Sequence, residues 1–380
     1  MKRVGVLMAV VMGVMLLFSG VAVAKVSGPC VNCHTMHNSQ GGSPMNYDES
    51  EGANKALTRG DCLGCHGQNQ ATNLINSIPQ VLHTATIDLP GGNFAYITGS
   101  KNVDSSDSAA VANSDCCGHN VVDIGEAEDN SNMFPPPGDE FDQTGITQDS
   151  FTCAGKYGCH GRRDVEDPFA AISGAHHTDD SFLKFGAEFN EDSQGGDPGS
   201  SYRFLVGVKG GEEDWSDLST SGESSTVHNE YKGATSGVDG TATSPGNNTI
   251  SGLCAECHGD FHGSSDDIGS SSPWLRHPTD IVLPGSTEKE YYKYNGGDGS
   301  NNPYSVEAPV ARVTIPTDSP SQYVNPGTND AIVMCLSCHR AHASANADLL
   351  RWNYEDINAG SGTDENARCF ICHTSKDGVE

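Results

Sequence analysis

Five stretches of this chain share one spacing: Cys30-Val-Asn-Cys33-His34, Cys62-Leu-Gly-Cys65-His66, Cys254-Ala-Glu-Cys257-His258, Cys335-Leu-Ser-Cys338-His339 and Cys369-Phe-Ile-Cys372-His373. A sixth is three residues longer: Cys153-Ala-Gly-Lys-Tyr-Gly-Cys159-His160. A histidine follows the second cysteine every time. On a helical turn, positions i, i+3 and i+4 share a face. Each C-x-x-C-H stretch therefore presents two thiols and an imidazole to one object. Zinc sites use C-x-x-C pairs but have no need of the adjacent histidine, and a disulfide framework needs it even less.

Covalent haem does need it. Two thiols add to the two vinyl groups of the porphyrin, and the next residue reaches the iron from one side; C-x-x-C-H is the c-type attachment signature. Six such sites use twelve of the fourteen cysteines and leave Cys116 and Cys117, adjacent in "DCCGHN". These two pair with each other, although adjacent cysteines strain a bridge, or serve another use such as metal binding. In the competing account Cys153 is bridged to one of them, and Cys159 holds haem alone. The even count favours six haem c groups, on Cys30, Cys33, Cys62, Cys65, Cys153, Cys159, Cys254, Cys257, Cys335, Cys338, Cys369 and Cys372.

The first residues speak to compartment. A basic start (Lys2, Arg3), an apolar run from Val4 to Phe18 and the small-x-small ending Ala22-Val23-Ala24 read as a signal peptide over residues 1–24. The expected mature protein is exported, periplasmic or extracellular, with no stable membrane insertion after cleavage. An uncleaved anchor is the alternative. Removing Lys2 and Arg3 from 21 basic residues leaves 19 against 50 acidic ones, a net of −31. Such a surface repels nucleic acid and anionic lipid.

Glycine is 45 of 380 residues, well above the usual ~7%. Helical or strand periodicity is scarce. The expected fold is mostly irregular and loop-rich, with short helices, few short strands and a core packed by haem, since Gly-rich backbone approaches a flat macrocycle closely. Residues 25–150 are expected to carry haems one and two, 151–285 haems three and four, and 286–380 a strand-rich stretch (Tyr291–Thr314) and haems five and six. These are haem-linked lobes rather than independent domains.

Of fifteen histidines, six are the proximal ligands His34, His66, His160, His258, His339 and His373. The distal set is read as His37, His119, His177, His228, His277 and His342, with His83, His176 and His262 in reserve. His342 lies three residues after His339, so its own haem blocks it from the opposite face, and a neighbouring iron is its best target. His37 repeats this arrangement. The stretches ending in His119-Asn120 and His228-Asn229 read as strand-plus-loop inserts that deliver a histidine. "WLRHP" places His277 before a proline, on extended backbone. With enough histidine for two imidazoles on every iron, the sites suit electron transfer rather than substrate binding.

At these residues, "CLSCHRAHAS", "CFICH", "RHP" and "GHNV", the chain resembles the exported multihaem c-type cytochromes of metal-respiring bacteria, those with the doubled C-x-x-C-H motif. The resemblance implies transfer of electrons toward redox proteins or external acceptors such as metal oxides. Some six-haem relatives polymerise into conducting filaments, so self-assembly is an alternative. A reductase with an open haem site is another; it needs an iron lacking its distal histidine, and Lys156 is the residue to watch there. No catalytic residue is assigned.

Overall fold

The computed structural model describes residues 28–76, 78–111, 115–124, 136–137, 150–162, 164–172, 205–210, 220–235, 249–258, 279–285, 291–298, 300–316, 319–358 and 367–374. The leader, His176, His177, His262 and His277 lie outside them. Among the described residues the helices are single turns or little more: α1 (Leu63–His66), α2 (Pro168–Ala171) and α3 (Ile250–Ala255). None is long and apolar enough to cross a membrane. α2 and α3 start on side-chain caps: Asp167 accepts from Ala170 N, and Thr249 from Gly252 N.

Among the described residues, eight two-residue strands pair antiparallel. β1 (Leu74–Ile75) joins β2 (Ile78–Pro79), and β3 (Val208–Lys209) joins β4 (Glu230–Tyr231). β5 (Ile281–Val282) pairs with β8 (Ile332–Val333), and β6 (Asn302–Pro303) with β7 (Tyr323–Val324). Loops with isolated bridges connect everything else. The loop-rich class expected from composition is what the chain adopts.

Two local expectations change. The aromatic start of the first insert, Phe94–Tyr96, is a 3-10 turn and not a strand. Asn93 caps it by accepting from Ala95 N, and Phe94, Ala95, Tyr96 and Ile97 are all buried, so no alternating face exists for a strand to use. Tyr291–Thr314 holds one described strand, β6, a 3-10 turn at Tyr294–Gly296 and bridges at Ala311 and Arg312. Asn295 takes a positive φ of 52° there, which ends any extended run.

Aliphatic packing is divided into small clusters beside the cysteine turns. One gathers Leu63, Leu82, Phe94, Ile97, Val121 and Ile124; a second Tyr294, Val310, Val324, Trp352 and Ile371; a third Val208, Tyr231, Leu253, Ile332 and Met334. Partly buried cysteines line the first two: Cys153 the first, Cys338, Cys369 and Cys372 the second.

Candidate haem sites

Each C-x-x-C-H stretch closes one helical turn. The carbonyl of the first cysteine accepts from the nitrogen of the second cysteine at 3.1–3.2 Å and from that of the histidine at 2.8–3.1 Å, in all five copies. The stretched copy makes the same closure. Cys153 O accepts from Cys159 N at 3.2 Å and from His160 N at 3.0 Å, and the extra residues leave as a loop. Two glycines make that loop fit. Gly155 has φ +85°, and a Cβ at Gly158 would strike the Thr152 carbonyl.

The imidazoles are then oriented from behind. His66 Nδ1 donates to Pro79 O at 2.8 Å, His258 Nδ1 to Pro137 O at 2.7 Å and His339 Nδ1 to Asp348 O at 2.6 Å. His34 does so more weakly, to Leu57 O at 3.3 Å. Two candidates from the inserts follow the same rule: His119 to Ala341 O at 2.7 Å and His228 to Ser224 O at 3.1 Å. A carbonyl only accepts, so the proton sits on Nδ1 and the lone pair on Nε2. That is the tautomer a metal-ligating histidine takes when its other ring nitrogen is held.

Burial disfavours the charged form of four histidines. It pushes His119 down to about 4, helped by nearby His258, and His342 down to about 3, helped by His160. His66 and His339 are also lowered by burial. A neutral imidazole is the form that binds iron.

Two pairs of rings lie near each other at a tilt of 50° and 35°. His119 and His258 have centroids 6.1 Å apart, and His160 and His342 have centroids 6.2 Å apart. Two imidazoles on opposite sides of one metal, each at about 2 Å, put their centroids roughly 6 Å apart. The residues present therefore fit the group. His228 adds a buried Nε2 with no hydrogen-bond partner, on a ring stacked 3.7 Å from Tyr304. His37 is exposed, and His83 is buried beside Asn93 and Asp88.

The segment that delivers His119 and His342 is one antiparallel strip. His119 N bonds His342 O at 2.9 Å, and Ser344 N bonds Cys117 O at 2.9 Å. Gly91 and Gly92 let another loop lie on it: a Cβ at Gly91 would sit 2.9 Å from the His342 ring, and one at Gly92 would collide with Ala343 O.

The thiols of successive turns also meet. Cys33 hydrogen-bonds Cys65, Cys62 bonds Cys153, and Cys254 bonds Cys335. Cys159 lies within electrostatic reach of Cys254, and Cys338 within reach of Cys369 and Cys372. All fourteen thiols are unbridged.

Sequence reasoning missed Asp123. Its carboxylate accepts from Cys62 N at 3.1 Å and lies with Cys62 and Cys153 in one cluster, and burial pushes its pKa up to about 6. A lone acid inside the apolar run Val121–Ile124 was the available signal. It also missed the buried ion pair between Arg312 Nε and Glu230 Oε2, 3.0 Å apart, which abuts His228.

Among known proteins, residues 326–378 match the family described as the doubled CXXCH motif. No curated protein matches the chain. Two solved structures of Geobacter sulfurreducens are similar. The cryo-EM structure of the OmcS nanowires has 22% identity over 87% of this chain and 85% of that one, with a TM-score of 0.45. The outer membrane cytochrome S filament has 18% identity over 86% and 84%, with a TM-score of 0.38.

Proposed function

We propose that this chain, a multihaem c-type cytochrome by its motifs, holds six covalent haems and passes electrons along them in the order of the sequence. The observation that carries the reading is the meeting of thiols. Turn one bonds turn two, two bonds three and four bonds five, while turns three and four, and five and six, lie within electrostatic reach of each other. Groups attached to those thiols are held as neighbours in one row.

When bound, each haem supplies a one-electron ferric/ferrous couple. The residues do the rest. Cysteine pairs would hold each haem, and His34, His66, His258 and His339, held at Nδ1 by carbonyls, would offer Nε2 to its iron. His160 and His373 complete the proximal set. His342 is the partner of His160 and His119 the partner of His258, supported by the two ring separations. His228 is a third distal ligand, supported by its buried Nε2, which makes no hydrogen bond and lies 3.5 Å from Glu230 Oε1; His37, His177 and His277 complete the assignment. Closure of the Cys153 carbonyl on Cys159 and His160 supports the sixth site.

Cys62 with Cys153, and Cys254 with Cys335, cross the boundaries at residues 150 and 285, which supports lobes joined by haem contacts. In this reading residues 1–24 are a cleaved signal, the mature chain works in the periplasm or outside the cell, and its partners are redox proteins or external acceptors. Polymerisation, the alternative implied by the sequence resemblance, is tested by electron microscopy of the secreted fraction.

The deciding experiment interrupts the row. Cys254→Ser with Cys257→Ser should lower the intact mass by one haem and leave the others reducible by a strong donor. Steady transfer to a bulky external acceptor should then fall steeply. A folded variant that transfers at the parent rate makes site four a side branch and ends the single-row reading.

A further inference from the structure

Cys116 and Cys117 belong to none of the six turns. They close a 3-10 turn, Asp115–Cys117, with their sulfurs 3.2 Å apart. Cys117 is fully buried and Cys116 half-buried. Val111 N donates to Cys116 Sγ at 3.2 Å, and the same sulfur lies 3.7 Å from Val111 O, so one residue holds it in place. The turn runs directly into Gly118 and His119. Gly118 is clamped there, since a Cβ would stand 2.6 Å from Ala343 Cβ and 2.7 Å from Ile97 Cγ1.

We infer that Cys116 and Cys117 form a redox modification site, closing to a vicinal disulfide by exchange with an external disulfide and reopening with thiol. It rests on the haem reading only in that the other twelve cysteines are occupied. The Cys116 thiolate attacks one sulfur of the external disulfide, forms a mixed disulfide and expels one thiol. The Cys117 thiolate then attacks Cys116 Sγ and expels the second. Two protein thiols and one external disulfide become one protein disulfide and two external thiols, so electrons and protons balance. The difference in exposure assigns the order: the accessible sulfur attacks first, and the buried one resolves.

The bond so formed is a labile one. Adjacent Cα atoms are about 3.8 Å apart across a trans peptide, below the roughly 4.4–6.8 Å of ordinary disulfides. Strained disulfides are more oxidising and open more readily. Closing draws the sulfurs from 3.2 Å to about 2 Å, within a turn that ends at the residue bonded to Ser344. The modification therefore acts on the strip that carries both His119 and His342.

The test is peptide mapping of the full, haem-loaded protein after alkylation without reductant. The expected peptide holds both cysteines unalkylated and is lighter by two hydrogens. It becomes doubly alkylated under monothiol conditions that leave the structural disulfide of a control protein closed. In Cys117→Ser, glutathione disulfide should leave a glutathione adduct on Cys116. Both cysteines alkylated at the outset, either one bridged elsewhere or carrying haem, a bond as resistant as the control, or no adduct in Cys117→Ser would each overturn the assignment. Haem stoichiometry on the same sample is measured by the pyridine haemochrome spectrum. A low haem count beside a closed disulfide would fail the haem reading and leave this one standing.

Discussion

Replacing His342 with alanine tests the least obvious part of the site, that the second histidine of "CHRAH" serves another turn. The ring lies 4.9 Å from Phe94 and 6.2 Å from His160, and its Nδ1 is buried without a hydrogen-bond partner. Alanine leaves Phe94 and the opposite axial direction facing a ring-sized gap, with the backbone strip intact. The packing loss should be about 1–3 kcal/mol, at the lower part of the large-to-small range because the residue is half-buried. The spectroscopic effect should be larger and discrete. One iron of six should turn high-spin in the ferric electron paramagnetic resonance spectrum and bind carbon monoxide when reduced. Added imidazole should fill the gap and restore the low-spin signal. Epistasis identifies the iron. Combined with Cys153→Ser and Cys159→Ser, the high-spin signal should vanish with the third haem; combined with Cys335→Ser and Cys338→Ser, it should persist. Persistence in the first combination and loss in the second would mean that His342 serves its own turn, and the pairing read from the ring separation would be refuted.

Three further outcomes are expected. Gly92→Ala puts a Cβ against Ala343 O at a φ of +96°, so it should cost about 1–3 kcal/mol in urea melts and weaken the His342 site. Glu230→Gln removes the carboxylate 3.0 Å from buried Arg312 and leaves Asp330 at 3.3 Å as its remaining acid, so it should destabilise by about 1–3 kcal/mol, with Arg312→Met plus Glu230→Gln recovering part of the loss. His83 is fully buried, and burial lowers its pKa to about 4 from 6.5. The unfolded chain therefore binds a proton that the folded chain refuses. This contribution is present above pH 6.5 and is lost as pH falls toward 4, on the order of 3 kcal/mol. His83→Gln should flatten that part of a stability–pH curve; an unchanged slope would show that another group sets it.

The attachment turns were legible in the bare chain because their chemistry is local. Cys62, Cys65 and His66 meet on one face through a single i→i−4 hydrogen bond, and no distant residue is needed to bring them together. The weak periodicity was equally legible, since a chain spending so many residues on glycine cannot line a large aliphatic core. Local order also misled: Phe94–Ile97 has strand-like composition, but burial on every side and the Asn93 cap turn it.

What tertiary structure alone decided is partnership. Nothing between residues 120 and 257 announces that His119 lies beside His258, nor does the five-residue loop in the stretched motif reveal that its carbonyl still closes on Cys159 and His160. The site of His342 depends on Gly91 and Gly92, some 250 residues away, admitting a loop against its ring. Asp123 reads as surface charge until Cys62 and Cys153 close around it. A proximal ligand is set by bonds within one turn, whereas a distal ligand is set by which loops pack together. Packing is a property of the whole chain's contacts, and so the attachment turns could be read in order, while which ring lies beside His119 or His342 was decided in space.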